Sequence, residues 1–209
     1  MPSAVDVFSW SLVLVLVSTS ATTKRLFDLE SHLAFYSGYH RNAVNRVIHL
    51  ACIWPLLASV LVICDASTPL APTPTLLAPL LRMNAGAVIA AIFCAYYIAL
   101  DRSAYGLASA SAVLVSYALA RAWTAAASQP VFTAACVHGM GWLAQFAGHA
   151  LFEKRAPALF ENFAQALLMA PHFVLVEACV ALGFRAQLAA SIEPLVARRV
   201  RGFTAAGTR

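Results

Sequence analysis

The segment "VFTAACVHGMGWLAQFAGHALF", residues 131–152, decides how the rest of the chain is read. It is long enough to approach a bilayer crossing at about 1.5 Å per residue. Yet it carries His138, Gln145 and His149. Imidazole and amide groups are costly against lipid tails, so such a helix has to turn them towards protein. Spacings of seven and four residues put all three on one helical face. The segment reads as a helix buried among others or half-immersed.

The rest of the chain supplies those others. Hydrophobic residues make up 61% of its 209 positions and charged residues only 11%, against about 25% charged in soluble domains. Mean hydropathy is +0.76. Four further segments read as membrane helices: residues 47–63, 85–100, 104–127 and 164–184. Pro69, Pro72, Pro74 and Pro79 mark a loop between the first two. Lys24, Arg25, Arg41 and Arg46 precede the first span, and Arg198, Arg199 and Arg201 follow the last. The positive-inside rule then places both ends in the cytoplasm and favours an even number of crossings. The expected fold is all-α: a polytopic membrane helical bundle of four clear transmembrane helices plus one polar interior or re-entrant helix. Residues 29–186 form that membrane-embedded domain, and residues 187–209 a basic cytoplasmic tail. Residues 1–28 are an apolar N-terminal extension. Its apolar run Ser11–Ala21 is short for a span, with only Asp6 charged before it. That run is either a signal-anchor-like extension or a loosely packed arm.

Composition also excludes. Formal charge is +5, but the cations cluster at the ends of apolar segments and form no stripe for nucleic acid. The five cysteines stand singly in apolar runs, so neither a disulfide framework nor a zinc knuckle is indicated.

Two polar constellations remain. In "FYSGYHRNAVNRVIH", residues 35–49, Asn42 is a good helix cap, and Asn42, Asn45 and His49 then share one face. His32, Tyr36 and His40 form a second stripe if the preceding segment is helical. In the other, Glu153 continues the His138, Gln145, His149 stripe by one turn. His149 and Glu153 at i, i+4 can reach one metal ion, while Lys154 and Arg155 can neutralise a carboxylate at the membrane edge. Imidazoles from two segments with a carboxylate point to non-haem iron, Fe2+. His40 and His49 are nine residues apart, about 13 Å of rise on a continuous helix. They serve one ion only if the chain folds back around Gly38; otherwise there are two metal positions, or one histidine supports from behind. Against this stand plainer roles: His32, His138 and His172 as hydrogen-bonded structural residues, and Glu177 paired with a basic residue.

With these motifs the chain resembles the membrane 2-hydroxy fatty acid dioxygenases. The similarity rests on "FYSGYHRNAVNRVIH" and on "GWLAQFAGHALFEKRAPALFENFAQALLMAPHFVLVE", residues 141–177, with Gly183 beyond. It runs from about Leu29 to Phe184, the middle spans matching in hydrophobicity alone. The resemblance implies an Fe2+-dependent α-oxidation in which a 2-hydroxy long-chain fatty acid reacts with O2 and leaves an acid one carbon shorter. It implies a role in phytosphingosine degradation, in the endoplasmic reticulum in the fungal case. Family histidines fall on His40, His49 and His149, implied metal ligands. Asn45, Gln145, Glu153, Lys154, Arg155, Asn162 and Glu177 also match, whereas His32, His138 and His172 do not. Two departures are the N-terminal apolar stretch and Ala43, where a proline is common. In such an enzyme the acyl chain dissolves between helices, its carboxylate meeting Arg155, Lys154 or Arg46. Glu153, Asn45 and Gln145 are the candidate catalytic groups, Glu153 as fourth ligand or proton acceptor. The competing reading is a non-catalytic membrane protein, a lipid-binding scaffold or small transporter whose buried polar groups join helices. Di-iron desaturase and intramembrane metalloprotease are set aside, since the chain has neither HxxHH nor HExxH. Spacing leaves the oligomeric state open.

Overall fold

A computed structural model describes residues 1–22, 25–74, 76, 80–157, 159 and 163–205. Lys24, Pro79 and Asn162 lie outside the described residues. Among the described residues every regular element is helical. The order is α1 (Ala4–Thr22), α2 (Leu29–Tyr39), α3 (Ala43–Asp65), α4 (Ala85–Leu100), α5 (Ala104–Ala126), α6 (Pro130–Gly148), α7 (Phe163–Ala181) and α8 (Ala186–Ala205). A π-helical turn, His149–Glu153, continues α6.

Short polar residues start most of these helices. Asp28, Asn42, Asn84 and Ser103 each accept a hydrogen bond from a backbone N–H in the first turn of α2, α3, α4 and α5. Each such cap satisfies a donor that the helix leaves without a partner. Pro130 opens α6, where its missing N–H costs nothing. Gly183, at φ 88°, follows the end of α7 in the left-handed region that glycine adopts freely.

α3 is the axis of the bundle. It packs against α1, α4, α5, α6 and α7, most extensively against α6. Leu61, Ile89, Val113 and Met169 are wholly or almost wholly buried where these helices meet. α1 belongs to the same packing: Leu16 and Ser9 are fully buried, and Asp6 accepts from the Thr68 N–H at 2.7 Å, just beyond α3. The tail is a helix too. α8 lies along α2, with the Arg199 guanidinium 4.2 Å over the Phe35 ring.

Two buried polar clusters tie the helix ends. At the C-terminal end of α3, Asp65 pairs with Arg121 of α5 at 3.0 Å. Asn84 donates to the Asp65 carbonyl at 2.7 Å and to its carboxylate at 3.1 Å. In the other, Asp101 takes the Ser103 hydroxyl at 2.6 Å and pairs with Arg185, while His172 Nε2 lies 3.4 Å from it. His172 Nδ1 and the Ser109 hydroxyl are 2.7 Å apart.

Only α3, among the described helices, is long and apolar enough to cross a membrane alone. α4 is short, and Arg121 and several serines dilute α5. α7 and α8 qualify only as a pair, and they bend by 115° at the break between them. Four independent spans are therefore not what the helices display. Nor is α6 enclosed: its polar face meets α3, while Phe132, Val137, Met140 and Leu143 point outwards and are exposed.

Replacing Asp65 with alanine removes the carboxylate that Arg121 faces in a buried setting, where breaking one half of an ion pair costs about 3–5 kcal/mol. We expect Asp65→Ala to lower the unfolding midpoint in detergent by far more than Asp28→Ala at the partly exposed cap of α2. Equal midpoints for the two variants would remove the cluster from the fold's essential contacts.

Candidate metal centre

The chain turns between α2 and α3 over His40, Arg41 and Asn42. That turn replaces a long helical separation with contact: the rings of His40 and His49 have centroids 4.3 Å apart. His149, entering from the end of α6, lies 5.0 Å from each. All three are buried, and one ligand nitrogen from each lies within 4.8 Å of the others. The fold-back therefore falls at residues 40–42. Gly38 itself stays helical, and a Cβ there would stand 3.2 Å from Cδ of Arg199.

The backbone sets the tautomers of two of these rings. His40 Nδ1 is 2.7 Å from the Tyr36 carbonyl, and His49 Nδ1 is 2.9 Å from the Asn45 carbonyl. A carbonyl only accepts, so each Nδ1 carries the proton and each Nε2 keeps its lone pair. Burial first, and then the two neighbouring imidazoles, hold His40 well below the usual histidine range. His40 Nε2 and His149 Nδ1 are buried without a hydrogen-bond partner. A buried polar atom left so costs about 1–3 kcal/mol, and a shared divalent cation removes that cost. Three imidazole nitrogens with no thiolate suit a first-row ion such as iron, and they leave coordination positions open.

Glu153 stands elsewhere. It closes the π-helical turn that continues α6, and its carboxylate turns to the start of α3. Its Oε1 accepts from the Asn42 N–H at 2.8 Å and from the Asn45 side-chain amide at 3.2 Å. The carboxylate thus sits at the positive end of α3, which favours an anion. It fastens the element bearing His149 to the element bearing His49.

The remaining candidates divide by partner. Gln145 is buried, and its Nε2 has no partner. Arg155 donates from Nη1 to the Gly38 carbonyl at 3.0 Å and lies 4.2 Å over the Phe203 ring; its Nε is buried without a partner. Arg46 pairs with Glu177 at 3.3 Å. Lys154 is exposed, with a left-handed backbone at φ 51°. His138 is satisfied on both nitrogens: Trp142 Nε1 donates to Nε2 at 2.9 Å, and Nδ1 meets the Ser59 hydroxyl at 3.0 Å. His32 bonds the Leu26 carbonyl at 2.9 Å.

From the three imidazoles an apolar cavity of about 380 Å³ runs between the helices, within the range of small-molecule sites. His49, Ile53 and Val60 mark its course along α3, and Gln145, Trp142 and His138 mark it along α6. Trp142 and the wall residues of α1 escaped the sequence reading. They are apolar side chains in apolar segments, and nothing in such a background marks the face that lines a cavity.

Gly148 lets α6 approach α3 at this centre, since a Cβ on it would lie 2.3 Å from Asn45 Oδ1. Gly148→Ala forces Asn45 to shift, and with it the Glu153 contact and the carbonyl that holds His49. We expect metal affinity, measured by titration with ferrous ion, to fall about 10–100-fold, the cost of losing a supporting partner. An unchanged affinity in a folded Gly148→Ala protein would show that the approach does not govern the centre.

Residues 26–182 match the family model described as 2-hydroxy-palmitic acid dioxygenase Mpo1-like. Over 171 residues the chain is 33% identical to 2-hydroxy-palmitic acid dioxygenase MPO1 of Saccharomyces cerevisiae, covering 80% of this chain and 89% of that protein. No solved structure matches the chain. With the family model spanning most of the chain and the yeast protein similar over nearly its whole length, the chain belongs to the 2-hydroxy-palmitic acid dioxygenase Mpo1-like family.

Proposed function

We propose that the chain is an Fe2+-dependent dioxygenase that α-oxidises 2-hydroxy long-chain fatty acids. The observation that carries the reading is three buried imidazoles at one end of a 380 Å³ apolar cavity. An amphiphile fits that shape: a head group at the metal end and a hydrocarbon tail along the wall. Atom balance fixes the products. The bond between C1 and C2 breaks, C1 leaves as CO2 with one water, and C2 becomes the carboxyl of an acid one carbon shorter.

His40, His49 and His149 would hold the iron. When bound, ferrous iron supplies the redox chemistry by which O2 reacts with a closed-shell acid. The chain's own groups bind and orient. Gln145 Nε2, buried and without a partner, offers a hydrogen bond to a substrate oxygen. Arg155 is the cation best placed for the carboxylate, because its Nε is uncommitted whereas Arg46 is engaged by Glu177. Glu153 and Asn45 keep the histidine-bearing segments in register. The dry walls exclude water from the reacting carbon.

The outward faces support bilayer residence. Leu107, Leu114, Leu119 and Trp123 of α5 are exposed, as are Phe132, Met140 and Leu143 of α6, while Ser109 of α5 and Gln145 of α6 are buried. Apolar patches of that kind on a monomer mark a lipid or protein partner. We place the protein in a membrane, with α3 spanning it and the other helices around it. Endoplasmic reticulum, cytoplasmic ends and a role in sphingoid-base breakdown complete the proposal.

The test is product analysis on purified protein in detergent with ferrous iron, air and 2-hydroxypalmitate. Pentadecanoate should form and should vanish with a chelator. His49→Ala and His149→Ala should each lose bound iron and at least about a hundredfold of the turnover, beyond the range for a supporting partner. Iron bound without pentadecanoate would sink the substrate; no metal bound would favour a lipid-binding scaffold.

A further inference from the structure

The cavity has a wall that the family-matched part of the chain does not supply. The match begins at residue 26, yet Phe8, Leu12 and Leu16 of α1 line the cavity. Their i, i+4, i+8 spacing makes one stripe on the helix. Leu16 is wholly buried and Phe8 is 44% exposed, so the stripe runs from the bundle interior towards its edge.

The direction of that stripe follows from its anchor. Asp6 accepts from the Thr68 N–H at 2.7 Å and from the Thr68 hydroxyl at 3.1 Å, so α1 begins beside the C-terminal end of α3. His49 lies near the other end of α3. His49 and Val60 both line the cavity, and the eleven helical steps from one to the other span about 16 Å of rise. Phe8, two residues from Asp6, therefore stands at the end remote from the imidazoles, and Leu16 lies nearer to them. A tail whose head is held at His40, His49 and His149 points its methyl end at Phe8 and Leu12.

We propose that α1 is a chain-length gauge, with Phe8 and Leu12 forming the stop against which the methyl end of the acyl chain rests. This rests on the reading of the site as one for a 2-hydroxy fatty acid. A stop of this kind discriminates strongly, because one methylene too many or too few in an apolar pocket changes kcat/KM by roughly tenfold or more. Shortening the stop lengthens the preferred substrate, and enlarging it does the reverse.

The experiment uses the full chain in detergent and two readouts. In the first, metal-free protein is titrated with 2-hydroxy acids of fourteen to twenty-two carbons, each displacing a fluorescent fatty acid. In the second, the iron-loaded protein receives the same acids in competition, and the shortened products are measured. Phe8→Ala should move the preferred length upwards in both, and Leu12→Trp should move it downwards. The ratio for acids either side of the wild-type optimum should change by about tenfold or more. Val7→Ala, at an exposed position outside the cavity lining, should leave the profile unchanged. If Phe8→Ala and Leu12→Trp, both folded, keep the wild-type profile while weakening all lengths equally, α1 is only a packing element and the gauge is wrong. Should one variant fail to fold, the other decides. Length-dependent binding that shifts as expected, without product from any acid, would uphold the gauge and overturn the oxidation reading instead.

Discussion

The close approach of α6 to α3 is the constraint on which the centre depends. It is made possible by two glycines seven residues apart on the face of α6 that meets α3. A Cβ at Gly141 would stand 2.7 Å from Leu56, and one at Gly148 would stand 2.3 Å from Asn45 Oδ1. Small residues at a helix–helix contact let the two backbones pack closely. Here the joining has a second consequence. It carries His149 to within 5.0 Å of a ring that α3 supplies, and it delivers Glu153 to the N-terminus of that helix. The carboxylate, two amides and three imidazoles then form one connected piece, in which no member shifts alone.

The buried and half-buried histidines of this chain differ in what surrounds their nitrogens. His138 has both nitrogens bonded within the protein, and His172 is bonded by the Ser109 hydroxyl on one side and faced by the Asp101 carboxylate on the other. His40 and His149 each keep a buried nitrogen with no partner, aimed where the third ring also points. A cation shared by the three rings would offset that cost.

Much of this was legible in the sequence, and the failures share a cause. The helices at 85–100 and 104–126 follow from apolar length and from the polar caps Asn84 and Ser103. The stripe of His138, Gln145 and His149 stands out because polar groups are rare in that segment. The position of Glu153 was not legible, since its i, i+4 spacing from His149 does not reveal that the start of α3 offers its carboxylate two donors. Nor was the role of α1. Its buried stripe and its exposed Leu14 and Val17 are all apolar, so the period that separates inside from outside in a soluble helix is absent. Four spans are not confirmed for a related reason: apolar length does not reveal a bend such as the 115° between α7 and α8.

The layout also explains why the polar and apolar demands do not conflict. Two charges near the centre sit at helix ends: Glu153 on the N-terminus of α3, and Arg155 on the Gly38 carbonyl near the C-terminus of α2. Helix ends are where backbone groups lack partners, so charges placed there satisfy orphan donors and acceptors that would otherwise be a cost. The helix flanks are then left apolar, and between them lies the cavity that leads away from the imidazoles towards the anchor of α1 at Thr68. The cavity thus offers two different surfaces within one fold. The first is set by helix termini and the second by helix sides, and changing one leaves the other standing.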